Sequence, residues 1–124
     1  MVKGIEYNTS LVGFNAVLRP WQLKAMQIVW GSPYGANSRT VCEKVNQKLV
    51  GETISRASVI NFLEDMREMG IFSGEERTGK GGYHWVYFPK LDEVGFKTFI
   101  VETMITSLMK SFPEETKEAI NQIR

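Results

Sequence analysis

"EERTGKGGYHWVYFPK" (residues 75–90) places an acidic–basic run, a glycine-rich stretch and a dense aromatic run in one line. If a helix follows "TGKGG" (78–82), the stretch is a phosphate-binding loop. If a strand follows, it is the tip of a two-stranded ribbon. A nucleotide loop needs G-x-x-x-x-G-K-[ST] between a strand and a helix. Here Lys80 is followed by Gly81, and "YHWVYF" (83–88) alternates aromatic side chains up to Pro89. That is strand chemistry, so the helix N-terminus that would receive a phosphate is missing. "IFSGEER" (71–77) reads as the preceding strand, and the whole as a β-hairpin. Five loop residues exceed the tightest turns, which predicts a mobile tip. Tyr83, Trp85 and Tyr87 share one side of the second strand, and His84, Val86 and Phe88 the other. One of these faces is expected to pack against the rest of the protein.

Three helices precede the hairpin. Pro20 suits the first position of one, because its missing N–H has no partner there anyway. Leu23, Met26 and Trp30 repeat at helical spacing, with Val29 beside them. "GSPYGANS" (31–38) breaks that helix, and Asn37 or Ser38 can cap the next. Val41, Val45 and Leu49 recur there, next to Cys42. Ser55 caps "RASVINFLEDMREMG" (56–70), whose buried face is Val59, Phe62, Leu63, Met66 and Met69. Gly70 is placed to end it in a left-handed conformation. Downstream, Asp92 opens a long helix to about Phe112, with Val94, Thr98, Val101, Ile105, Leu108 and Phe112 on one face. Phe99, Ile100 and Met104 widen that face. Pro113 starts a last short helix with acids in its first turn. "SLVGFNAVL" (10–18) reads as a short strand or an ordered arm, since Gly4 and Gly13 argue against a helix.

The expected fold is therefore mainly α with a small β-hairpin. Three helices followed by a hairpin is the order of a winged helix-turn-helix. Residues 1–17 form an arm, 18–90 the winged-helix domain and 91–124 a C-terminal helical region.

Composition narrows the function. With 43% hydrophobic and 23% charged residues the 124-residue chain is an ordinary globular protein. One cysteine (Cys42) and one histidine (His84) leave no intrachain disulfide and no structural zinc site. No run of 18 apolar residues exists, and "MVKGIEYNTS" lacks the apolar core of a signal peptide. A cytoplasmic protein that does not enter the membrane is expected. Residues 18–90 hold ten Lys/Arg against seven Asp/Glu, whereas 91–124 hold four against six. A basic middle and an acidic tail suit a polyanion met by the middle. No Ser/His/Asp set, paired-carboxylate cleft or metal cluster is visible, so neither an enzyme nor a cofactor is expected.

The third helix offers Ser55, Arg56, Ser58 and Asn61 at its N-terminal end, the part that reaches base edges when such a helix docks. Arginine reads guanine bidentately, and asparagine reads adenine. Arg39 and Thr40, at the start of the second helix, are placed to hold a phosphate. Arg77, Thr78 and Lys80 can do the same from the hairpin, where glycines allow close backbone approach. A solvated helix face and an exposed hairpin with ordinary surface charges remain the bland alternatives. Glu64, Asp65 and Glu68 count against deep insertion of the helix's C-terminal half.

"LRPWQLKAMQIVW" (18–30) resembles the opening helix of the penicillinase-repressor family of winged-helix regulators. "SRASVINFLEDMREMGIF" (55–72) resembles its recognition helix, and "GGYHWVYFP" (81–89) its second wing strand. The resemblance covers about residues 18–112. It implies a homodimeric repressor of double-stranded DNA, with the C-terminal helices forming the dimer. Val94, Phe99, Val101, Ile105, Leu108 and Phe112 would then be dimer contacts. Ala57, Ser58 and Asn61 match base-contacting places, and Arg77 and Lys80 the wing. Two features depart from the family. The tail has no cysteine where copper-responsive members are cysteine-rich, and position 65 is acidic where basic residues are common. The residues specify no effector. A winged-helix protein-interaction module that binds no DNA is the rival reading.

Overall fold

The computed structural model describes residues 4–79 and 82–123. The chain divides into two compact units, Met1–Asp92 and Glu93–Arg124.

In the first unit a single 3-10 turn, Gly13–Ala16, precedes the first helix. Of the short strand or ordered arm expected there, the strand does not form. Gly13 takes φ +68 at the start of the turn, a left-handed angle that suits glycine, so the residue that argued against a helix begins this short one. Helix α1 spans Pro20–Trp30, with Pro20 at its first position. The Gln22 side chain accepts a hydrogen bond from the Arg19 backbone N–H at 2.8 Å, which satisfies that donor. Ala25, Met26, Ile28 and Val29 are buried, while Leu23 and Trp30 are half-buried. The Trp30 indole donates to the Leu91 carbonyl at 3.0 Å, tying the end of the unit to α1.

A two-residue strand, β1 (Ala36–Asn37), follows and was not anticipated. It is too short to carry a period-2 signal, and its existence depends entirely on a distant partner. Helix α2 spans Ser38–Lys48 and α3 spans Arg56–Glu68. Their caps agree with the sequence reading. Asn37 accepts from the Thr40 N–H at 2.8 Å, and Ser55 from the Ser58 N–H at 3.1 Å. Between them Asn46 clamps the turn, donating to the Ile54 carbonyl at 3.1 Å and accepting from the Ile54 N–H at 2.8 Å. Val41, Val45, Val59, Phe62, Leu63 and Met66 close the core between the helices. Full burial of each such side chain contributes about 1.5–3 kcal/mol. Met69 and Leu49 are only half-buried. Gly70 takes φ +79 after α3, as expected.

Strands β2 (Phe72–Gly79) and β3 (Gly82–Pro89) form the hairpin, and the antiparallel sheet runs in the order β1-β3-β2. The ladder continues to the Gly79–Gly82 pair, so Thr78, Gly79 and Gly82 belong to the strands. Of the five tip residues expected from sequence, Thr78, Gly79 and Gly82 are paired, and Lys80 and Gly81 lie outside the described residues. Backbone pairing overrides the poor strand propensity of glycine here. Both faces of β3 are buried near its base, Val86 on one and Tyr87 on the other, where one buried face was expected. The Tyr87 side meets α3 through Glu64, and β1 extends the sheet along the edge of β3 (Ala36 with Tyr87, Asn37 with Val86).

The second unit contains α4 (Glu93–Ser111) and α5 (Pro113–Ile123), separated where Pro113 cannot donate to the helical ladder. The Thr116 hydroxyl donates to the Leu108 carbonyl at 3.1 Å and packs the start of α5 onto the end of α4.

Candidate nucleic-acid interface

The order α1-β1-α2-α3-β2-β3 is that of a winged helix-turn-helix, and it fixes which side chains face outward. Ser55, Arg56, Ala57, Ser58 and Asn61 are all exposed at the N-terminal half of α3. They cluster because Val59, Phe62, Leu63 and Met66 commit the opposite stripe to the core. The Ser55 hydroxyl serves the helix itself: it caps the Ser58 N–H and donates to the Ser58 Oγ at 2.9 Å. Arg56 and Asn61 are the long polar side chains this face presents. At the start of α2, Arg39 is exposed and Thr40 half-buried. Arg39 pairs with Glu43 at 3.3 Å in an exposed i,i+4 ion pair. Arg77 pairs with Glu75 at 3.2 Å, also exposed. Such surface pairs are worth about 0–1 kcal/mol, so a phosphate can replace either carboxylate.

The hairpin does not bring Arg77 and Thr78 to the same side. Cross-strand register groups Gly74, Glu76 and Thr78 with Trp85 and Tyr87, the face that meets α3. Arg77 pairs with His84 on the other face, and its guanidinium lies 5.6 Å from the Phe88 ring. Thr78 is thus the wing residue on the recognition-helix side. Lys80 lies outside the described residues.

Glu64, one of the acids set against deep insertion of α3, is half-buried and paired within the protein. It does not project outward as an acid opposing DNA. Its Oε1 accepts from the Tyr87 hydroxyl at 2.6 Å, and its Oε2 from Arg67 Nε at 3.0 Å and Nη2 at 2.7 Å. Asp65 is half-buried and Glu68 exposed. The Arg67 guanidinium also lies 4.8 Å from the Trp85 ring centroid. Sequence reasoning missed this cluster, whose members come from α3 and β3. The one available signal was the i,i+3 spacing of Glu64 and Arg67, which marks a helical ion pair and nothing about its strand partners.

Burial pushes the Glu64 carboxyl up, but the hydrogen bonds from Arg67 and Tyr87, with the Arg67 charge, outweigh it and hold the group below its ordinary value. Burial, then the bond to Glu64, push the Tyr87 hydroxyl far up. A carboxylate whose folded pKa lies below its unfolded one contributes stability above the unfolded value, lost as pH falls through the folded value. Urea unfolding midpoints of the wild type should therefore decline below about pH 4.5, near the ordinary carboxylate value. Glu64→Gln should show a shallower decline. Equal slopes would contradict the ionised network.

Among the described residues, no group of three or more His, Cys, Asp or Glu side chains is placed to hold a metal, and no helix is long and apolar enough to cross a membrane.

Helix α4, with Phe112 just after it, carries an outward line of side chains. Val94, Thr98, Val101, Ile105, Leu108 and Phe112 are all exposed, Val94 by 68% and Phe112 by 59%. Phe99 lies off this line and is half-buried. Ile105, Leu108 and Phe112 also border an open groove of about 630 Å³ with Ala119, Ile120 and Ile123 of α5. The apolar contribution of α5 was not foreseen, because its helix reads as acidic and short.

No protein-family model and no curated protein sequence matches this chain. Among solved structures it is similar to a chain described as "Possible transcriptional regulator from Methanosarcina mazei Go1". The two share 16% identity with a TM-score of 0.58, over 82% of this chain and 78% of that one. At that identity the likeness establishes the fold: a winged helix-turn-helix followed by C-terminal helices.

Proposed function

We propose that this protein is a cytoplasmic, homodimeric transcriptional regulator that binds double-stranded DNA in a sequence-specific manner and acts as a repressor. The observation that carries the reading is the exposed polar end of α3, Arg56 to Asn61, presented beside the wing of a helix-turn-helix fold. The similar solved structure from Methanosarcina mazei is described as a possible transcriptional regulator, which agrees with it. Arg56, Ser58 and Asn61 read base edges, with Ala57 offering a methyl contact. Ser55, Arg39, Thr40, Arg77, Thr78 and Lys80 hold the backbone.

The sequence pattern of α4 supports the dimer. Positions 94, 98, 101, 105, 108 and 112 alternate four- and three-residue steps, the spacing of a coiled-coil seam. Five of the six are apolar, and all six are exposed. A second copy of the same helix is the partner whose surface repeats that spacing. Two copies would place two recognition helices on one duplex, as two-fold operators require.

Selection of bound sequences from a random duplex library tests DNA binding and half-site spacing together. Against a recovered site, Arg56→Ala is expected to cost about 1–3 kcal/mol and relax one base position. Lys80→Ala should weaken all sequences alike and lower the salt slope by about 1. An unchanged slope for Lys80→Ala removes the wing's phosphate role.

Two observations favour a protein-interaction module instead. Asp65 and Glu68 leave the later turns of α3 acidic, and the winged-helix region carries only three excess positive charges. Absence of any salt-sensitive gel shift against pooled genomic fragments would select that reading.

A further inference from the structure

The geometry points to a latch: Glu64, Arg67, Tyr87 and Trp85 hold the wing at a set angle to the recognition helix, as positioning residues for the wing's grip on DNA. The inference rests on the DNA-binding reading above.

Hydrophobic burial fastens α3 to the core but is non-directional, so it leaves the wing's angle loosely specified. The polar cluster supplies direction. Glu64 divides its two oxygens between elements, one to Tyr87 of β3 and one to Arg67 of its own helix. Hydrogen bonds to an ionised carboxylate are roughly twice as strong as neutral ones and carry stricter geometry. Arg67 extends the tie outward along β3 by stacking on Trp85, two residues nearer the tip than Tyr87. Beyond the Glu76–Trp85 pair, Arg77, Thr78 and Gly79 of β2 are exposed.

Gly74 makes the crossing possible. It pairs with Tyr87, and a Cβ added there would lie 2.5 Å from Arg67 Cδ and 3.1 Å from the Trp85 ring. The absent side chain is the space through which the Arg67 stem reaches Trp85. Its φ is not in the left-handed region, so the backbone does not require glycine. The requirement comes from Arg67.

Three mild variants test the latch: Tyr87→Phe and Glu64→Gln remove polar atoms, and Gly74→Ala pushes the flexible Arg67 stem aside without backbone strain. Amide hydrogen exchange on the free protein is the first readout. Each variant is expected to speed exchange in 75–79 and 84–86 at least tenfold, with the α1 and α2 amides unchanged. Hydroxyl-radical footprinting on the tightest duplex from a random library is the second. The wing's patch should fade and the salt slope drop by about 1, while the α3 patch persists. A merely structural role would fade both patches together and leave the slope alone. Unchanged wing exchange in all three variants, or uniform fading, overturns the latch. If the wild type gives no footprint, the DNA reading fails and the wing's role in grip goes with it. The exchange data then still report whether the cluster orders the ribbon.

Discussion

Gly35→Ala is expected to lower the free energy of unfolding by about 2–5 kcal/mol, combining a left-handed-backbone term with an overpacking term. Gly35 has φ +97, outside the range alanine adopts without strain. Its added Cβ would lie 2.3 Å from Val86 Cγ1 and 2.8 Å from Phe88 Cε1. Val86 is buried and cannot swing away as a surface side chain does. The methyl group must therefore push β1 from β3, breaking the Ala36–Tyr87 and Asn37–Val86 pairing. Gly51→Ala is the control. Gly51 has φ +77 but open space around its Cβ position, so only the backbone term of about 1–2 kcal/mol applies. Urea unfolding of the two variants separates the terms. Equal losses would show that the β1–β3 approach is not tight.

Leu108→Glu, alone or with Val101→Glu, is expected to convert the proposed dimer to monomer and weaken operator binding by about a hundredfold or more, the loss of linked second-site binding. Leu108 and Val101 are exposed in the chain, so a carboxylate at either position costs the folded monomer little. In a coiled-coil seam the same carboxylate would be buried beside its symmetry mate, and two like charges there repel strongly. Sedimentation at micromolar concentration reads the assembly, and a gel shift reads the binding. Circular dichroism confirms that the helices persist. A dimer that survives both substitutions places the interface elsewhere.

The helices and caps were largely legible because their signals are local. Asn37, Ser55, Pro20 and Gly70 act within a few residues of themselves, and the structure finds each in the expected role. The three winged-helix helices, the hairpin and the long C-terminal helix follow from such signals together with periodicity. The exposed set on α3 was legible for the same reason, since once the apolar stripe is assigned the polar face is its complement. Most misreadings arose where a partner far along the chain decides the outcome. β1 exists because β3 offers it a ladder. Thr78 and Arg77 fall on opposite faces because strand register extends to Gly79–Gly82. Glu64 counts as an outward acid on a helical wheel, yet Tyr87, 23 residues later, turns it inward.

From residue order alone came the element types, the stripe each helix commits to burial, and the polar groups available to meet a phosphate or a base. Those follow from bond geometry and water, which act on every short segment alike. Which acid is neutralised, how far the hairpin's pairing runs, and why glycine occupies positions 35 and 74 emerged when separate segments were packed together. A close approach between atoms far apart in the chain depends on how the whole chain folds back, and no short window contains that distance.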